Sequence, residues 1–235
     1  MPPTTAFLQG VALFHDLPLP VLQELADLSI TRSVEEGGFF FMQGDETRYL
    51  YVLTAGRVKL TQTSLDGQQV VLRMIGPGHM FAGAAILHYP NGYPVTAEAV
   101  EDSSALAWEA NAFKKLAERY PVLSINLMQL MQAYVVEIQA RYRELSTERV
   151  EQRVARSLVR LASQTGIKSD SGAIVLALSR QDLAEMSGTT LFTASRLLAE
   201  WERRGILTAG RERVELLNPH RLVSIAEDLD KPEDK

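Results

Sequence analysis

The sequence contains no cysteine. That absence excludes disulfides, cysteine zinc sites and cysteine-held iron–sulfur clusters. No apolar run approaches the roughly 20 residues that cross a bilayer. Nothing at the start has the charged, apolar and small-residue segments of a secretory signal, so a cytoplasmic protein without a membrane partner is expected. Histidine is scarce: His15, His79, His88 and His220 are scattered along the chain. Gly-x-Ser-x-Gly, phosphate-loop and His-Glu-x-x-His motifs are all missing. Neither an enzyme nor a dedicated metal site is therefore expected. The net charge is −5, which argues against a nonspecific coat for polyanions. DNA binding stays open, because the placement of the cations decides it.

The 235 residues, 46% of them hydrophobic, suit one or two globular domains. The most informative stretch is residues 178–205. It reads as two short helices around a tight turn. Ser179 caps the first helix, residues 180–186, by accepting from its free N–H groups. Ser187-Gly188-Thr189 forms the turn, where glycine permits a positive φ. The second helix starts near Thr190 and runs through Leu197, Leu198 and Trp201 to Arg204, where Gly205 ends it. Helix, glycine-containing turn and helix is the helix-turn-helix layout. A generic helical hairpin uses the same caps. The next segment favours a winged helix: residues 206–209 and 214–217 form a β-hairpin with a charged tip, placing Arg211 and Arg213 near phosphates. Between 179 and 213, six arginines (180, 196, 203, 204, 211, 213) face five acids (Asp182, Glu185, Glu200, Glu202, Glu212), leaving +1.

Upstream, residues 21–28 read as a short amphipathic helix after Pro18 and Pro20. Residues 30–108 are β-rich and punctuated by turns, with runs at 39–41, 49–53, 57–63, 70–75, 95–100 and 105–108. Asp66-Gly67 between two such runs signals a hairpin. A short helix spanning 111–120, capped by Asn111, leads to Pro121 and a long helix at about 122–145. Leu127, Met131, Tyr134, Ile138 and Leu145 line a narrow apolar stripe on it, interrupted by Arg141. Such a stripe fits a parallel homodimer seam or packing on the chain's own domain. Ser146-Thr147 is expected to cap a new helix, residues 148–163. A polar loop then covers 165–173, and Asn218-Pro219 opens a last helix reaching about 227. The expected fold is α+β: a β domain over 1–110, a long helix and hinge over 111–146, a helix-turn-helix domain over 147–227, and a disordered tail over 228–235.

Several segments then line up in order: Gln43-Gly44-Asp45, the run Tyr51 to Lys59, the run Gly76 to Ala85, and Thr96-Ala97-Glu98-Ala99. Leu183-Ala184, Gly188, Thr193, Ser195-Arg196-Leu197-Leu198 and Trp201 to Gly205 complete the set. With these, the chain resembles the cyclic-AMP receptor protein/FNR family of transcription regulators over nearly its full length. The resemblance implies an N-terminal β-roll (a cyclic-nucleotide-binding-like jelly roll), a long dimerisation helix and a C-terminal winged helix-turn-helix. It also implies a homodimer on a pseudo-palindromic operator in double-stranded DNA, with RNA polymerase as partner if it activates. The implied effector pocket comprises Gly78, Phe81, Ala82, Gly83, Ala84, Ala85, Val95, Thr96 and Tyr134. The implied DNA contacts are Ser179, Gln181, Thr190, Leu191, Phe192, Thr193, Ser195, Arg196, Arg211 and Arg213.

Two departures from the family pattern matter. Where nucleotide-binding members carry a glutamate for ribose and an arginine for phosphate, this chain has Gly83 and Val95; only Thr96 remains. A buried phosphate without its cation loses charge-assisted bonds, so cyclic AMP is not the expected ligand. The cofactor is left open, with haem as an alternative: the family's carbon monoxide sensors use an N-terminal proline and a cassette histidine. That histidine falls at Ala84 here, although the chain begins Met1-Pro2-Pro3. The second departure lies in the recognition helix, where members that read G·C commonly place Arg, Glu and Arg. Here the first two fall on Leu191 and Phe192, and the last on Arg196. Phe192 has two readings: contact with a thymine methyl, or packing into the wing or the domain core. A β-roll that only binds a partner protein, without DNA reading, is the remaining alternative.

Overall fold

The computed structural model describes residues 5–86, 91–170 and 172–229, leaving out the side chain of Ala84. The described residues form two compact units, one from residues up to 68 with 73–138, the other from 69–72 with 139 onward. No described helix is long and apolar enough to cross a membrane.

The first unit opens with helices α1 (Thr5–Gln9) and α2 (Leu19–Leu28), separated by a 3-10 turn at Ala12–Phe14. Eight strands follow: β1 (Ile30–Val34), β2 (Phe39–Phe41), β3 (Tyr49–Ala55), β4 (Val58–Thr63), β5 (Gln69–Ile75), β6 (Met80–Phe81), β7 (Thr96–Ala99) and β8 (Ser103–Glu109). They make two four-stranded sheets, ordered β1-β8-β3-β6 and β2-β7-β4-β5. The β3–β8 pair, antiparallel with Tyr51 opposite Ala107, is covered on both faces. Side chains alternate across a strand. Leu50, Val52, Leu106 and Trp108 therefore face α1, α2 and the helices after the sheet, while Tyr51, Leu53, Ala105 and Ala107 face the roll interior. Trp108 is buried, donates from Nε1 to Leu25 O at 2.7 Å, and meets Phe14 edge-on at 5.4 Å.

Three of these elements escape the sequence pattern. α1 is one turn long, β6 has two residues, and β1 exposes most of its side chains, so none shows a clean period. Helix α3 (Ala110–Arg119) is capped not by Asn111 but by Glu109, whose Oε2 accepts from the Ala112 N–H at 2.9 Å. Asn111 instead donates to Glu109 Oε1.

Helix α4 (Pro121–Thr147) runs two residues beyond the expected end. Ser146 and Thr147 do not cap the next helix. Their hydroxyls donate back to Tyr142 O and Arg143 O, each at 2.9 Å, and so prolong α4. The expected apolar stripe also splits between two faces. Leu127 packs on the core beneath α2 and α3, and Tyr134 lies under the Arg73 guanidinium at 5.5 Å. Arg141 donates to Leu72 O and stands off the free face. The exposed stripe is instead Met128, Met131, Val135, Ile138, Tyr142 and Leu145, with steps of three and four residues.

In the second unit, α5 (Val150–Thr165) starts after Arg149, whose N–H donates to Gln152 Oε1 at 3.1 Å. The two-residue strand β9 (Ile167–Lys168) interrupts the expected loop at 165–173, and strand β10 (Ile174–Ala177) begins directly after it. Helices α6 (Arg180–Met186) and α7 (Leu191–Arg203) come next, then β11 (Leu207–Ala209), β12 (Arg213–Leu216) and α8 (Pro219–Ala226). The wing is therefore a four-stranded sheet, β11-β12-β10-β9. Leu158, Leu176, Leu183, Leu198, Trp201, Ile206 and Leu222 fill this unit's core. The first two residues of the expected disordered tail are held in place: the Leu229 N–H donates to Ser224 O at 2.9 Å, and Asp228 pairs with Arg149. Residues 230–235 of that tail lie outside the described residues.

Candidate nucleic-acid interface

Two caps set the helix-turn-helix. Ser179 Oγ accepts from the Asp182 N–H at 3.0 Å, and Thr190 Oγ1 accepts from the Thr193 N–H at 3.2 Å. Gly188 takes φ +59 in the turn between them. The turn is also clamped from below, a feature the sequence pattern did not reveal. Arg153 on α5 donates from Nε to Ser187 O and from Nη2 to Gly188 O, both at 3.0 Å, and from Nη1 to Glu148 O at 3.0 Å. Arg153 stands on the polar side of an amphipathic helix, where an arginine ordinarily reads as solvated.

Helix α7 buries Ala194, Leu197, Leu198 and Trp201. Its other face carries Leu191, Phe192 and Arg196 exposed, with Thr193 and Ser195 half-buried. Phe192 is 78% exposed, which rules out packing into the wing or the core. Arg196 has no ion pair or hydrogen bond among the described residues, so its guanidinium is available.

The wing is tied to α6 by Arg180 Nη2, which donates to Ala209 O at 3.1 Å, and by the Leu178 N–H, which donates to Glu212 O at 3.0 Å. Arg211 is exposed at the tip, and Arg213 is loosely paired with Glu215 at 3.8 Å. Ser179, Gln181 and Arg211 meet in one open groove of about 540 Å³ between the start of α6 and the wing tip. Six of the expected DNA-contact residues thus lie at three places in one unit: Ser179 and Gln181 at the start of α6, Leu191, Phe192 and Arg196 on α7, and Arg211 at the wing tip.

The sensing cassette lies in the first unit. Gly78 takes φ +81, and its N–H donates to Leu53 O at 2.8 Å. Phe81 is buried and stacks on Tyr51 at 5.0 Å. Ala82 adopts φ +64, a left-handed conformation that disfavours any side chain. A Cβ at Gly83 would lie 3.3 Å from Met80 Cε and 3.4 Å from Met131 Cε, so a glutamate there requires rearrangement. Ala85 is fully buried, and Val95 packs against the Phe41–Tyr51–Tyr93 cluster. Thr96 Oγ1 accepts from the Gln43 N–H at 2.9 Å. Above Tyr134, Arg73 Nε is 3.7 Å from Glu137 Oε2.

A separate cavity of about 540 Å³ in this unit is lined by Arg32, Asp45, Glu46, Arg48, Tyr49 and Tyr51 among others, and by none of the cassette residues. Burial pushes the Tyr51 phenol well above its usual pKa, partly opposed by Arg32. His79 Nδ1 sits 3.3 Å from both Gly76 O and Pro77 O, inside its own turn. His15 pairs with Asp16 at 3.1 Å on the surface. Residues 1–3, which hold the N-terminal prolines of the haem alternative, lie outside the described residues, as does His88.

The family model for the cyclic nucleotide-binding domain matches residues 31–120, and that for the Crp-like helix-turn-helix domain matches residues 152–225. The cyclic AMP receptor protein of Thermus thermophilus is 30% identical over 223 residues, 93% of this chain and 98% of its own length. A CRP-family transcriptional regulator of Thermus thermophilus superposes with a TM-score of 0.70 at 26% identity, covering 83% of this chain and 96% of its own. A CRP/FNR-family transcriptional regulator of the same organism gives 0.69 at 25% identity, covering 84% and 98%.

Proposed function

This chain belongs to the cyclic-AMP receptor protein/FNR family of transcription regulators, and we propose that it works as a homodimer, gated at its β-roll by an effector other than cyclic AMP. Membership makes it a helix-turn-helix DNA-binding regulator and not an enzyme. The observation that carries the homodimer is the free face of α4. Met128, Met131, Val135, Ile138, Tyr142 and Leu145 recur with the alternating spacing of a two-stranded seam, and all are exposed in the single chain. Two copies joined there present their recognition helices to successive major grooves, about 34 Å apart, so the operator is a pseudo-palindrome.

On each half-site, Arg196 donates both guanidinium arms to guanine O6 and N7. Ser179, Gln181, Thr190, Thr193, Arg211 and Arg213 hold phosphates and fix the register, and Ser195 lies beside the bases. Gating starts at the cassette, from Gly78 through Phe81–Ala85 to Val95 and Thr96. A ligand there biases α4 near Tyr134 and Ile138, and the bias reaches the winged helices through residues 145–148 as a two-state shift.

Cyclic AMP is disfavoured by Gly83 and Val95, which offer neither ribose acceptor nor phosphate cation, and by Thr96, whose oxygen already serves Gln43. Haem draws no support from His79, whose ring sits against its own turn. The protein works in the cytoplasm and, where it activates, touches RNA polymerase.

Sedimentation equilibrium tests the dimer: a species of twice the 26.1 kDa chain mass is expected. A gel shift on duplexes selected from a random pool tests DNA reading, with affinity falling steeply between about 50 and about 200 mM salt. A monomer, or a protein indifferent to every duplex in low salt with candidate effectors present, refutes the proposal. A DNA-competent dimer that no small molecule or redox condition shifts refutes the gating alone.

A further inference from the structure

Leu191 and Phe192 occupy the first turn of α7, directly after the Thr190 cap. That first turn is the part of a recognition helix that reaches base edges. Phe192 is 78% exposed, and Leu191 beside it is exposed too. Arg196 follows Phe192 by four residues, so the two share a face with Cβ atoms about 6 Å apart. At about 3.4 Å per base pair, a guanine held by Arg196 lies within two base pairs of whatever Phe192 touches.

A phenyl ring offers no hydrogen bond. Against cytosine or adenine it strips water from an amino group and returns nothing, leaving that donor unpaired. Only thymine presents an apolar group in the major groove, its 5-methyl. The surroundings fit that occupant better than a protein partner. The apolar pair is rimmed by the Thr190 and Thr193 hydroxyls, 3.0 Å apart, and shares its face with an unpaired arginine.

We infer that Phe192 selects a thymine through its 5-methyl group, within two base pairs of the guanine read by Arg196. This rests on the DNA reading proposed above. The half-site thus pairs one hydrogen-bonded guanine with one thymine chosen by shape. A glutamate at Phe192 would reverse the choice, because its carboxylate accepts from cytosine N4.

The test takes the best duplex selected by the full-length protein and replaces each thymine singly by uracil, which removes the methyl and nothing else. The expected result is one sensitive thymine per half-site. Uracil there weakens binding about fourfold, and about fifteenfold when both half-sites are changed, as one buried methyl at about 0.8 kcal/mol predicts. Phe192→Ala should abolish that sensitivity while keeping its melting temperature, since the side chain is mostly in water. Phe192→Glu should shift the base selected there from thymine to cytosine.

Wild-type indifference to uracil at every thymine overturns the inference while leaving DNA reading intact. A uracil penalty that persists in Phe192→Ala, or selected half-sites with no thymine within two base pairs of guanine, does the same. Failure to bind any duplex overturns both.

Discussion

Ile138 lies in the middle of the free stripe on α4 and is 46% exposed in the single chain. Complete burial of such a side chain is worth about 1.5–3 kcal/mol. Roughly half of that surface is still in water, so pairing gains about 1 kcal/mol for each copy on the same scale. A two-fold seam brings both copies together, and Ile138→Ala should therefore weaken the dimer by about 2 kcal/mol, or about thirtyfold in dissociation constant. Val136→Ala is the matched control. Val136 is more exposed, at 58%, yet it sits about 100° round the helix from Val135, off the stripe. Both substitutions raise helix propensity by a few tenths of a kcal/mol, so secondary structure does not separate them. Sedimentation equilibrium across a range of protein concentrations reads the result directly. DNA affinity measured below the dimer constant should fall with Ile138→Ala and stay level with Val136→Ala. Equal association for wild type and Ile138→Ala, or an equal loss in Val136→Ala, refutes the seam as drawn.

Arg196→Ala should cost about 1–3 kcal/mol on the preferred duplex and relax the preference at one base pair per half-site; equal losses on every sequence would reduce Arg196 to a phosphate contact. Arg153→Met removes three hydrogen bonds from a charged donor, and the Ser187 and Gly188 carbonyls lose partners. Urea unfolding followed by tryptophan fluorescence, which Trp108 and Trp201 share, should show a loss of about 2–4 kcal/mol, and an unchanged midpoint would show that the turn holds without its clamp. The Tyr51 phenol is raised above 10.0 by burial. An unfolded tyrosine ionises near that value, so the stability Tyr51 contributes is complete below about pH 10 and drains away as pH climbs toward the higher folded value. Tyr51→Phe should flatten that alkaline loss, and an identical profile for both proteins would refute the shift.

Local chemistry made much of the interface legible. A capping side-chain oxygen acts on N–H groups two or three residues away, so Ser179, Thr190 and Asn218 mark their helices without help from the rest of the fold. The same chemistry misled where two local bonds compete. Ser146 and Thr147 have cap-forming side chains, but their hydroxyls turn back to α4 carbonyls. Asn111 yields its role to Glu109, one position before the helix. Strand β1 stayed hidden because an exposed strand such as Ile30–Val34 has no buried side to alternate with.

Composition, turn spacing and the ordered motifs are enough, from the sequence alone, to determine the family, the α+β architecture and the position of the recognition helix. Tertiary packing alone decided which apolar residues are spare. Leu127 and Met128 are neighbours of similar character, yet the first packs half-buried against the core while the second faces water. Tyr134 is likewise claimed by Arg73, and Phe192 is left mostly in water. A periodic pattern shows that a helix has apolar sides. Which side the domain consumes depends on residues distant in sequence, and the side left over is the one available to a second copy or to a base.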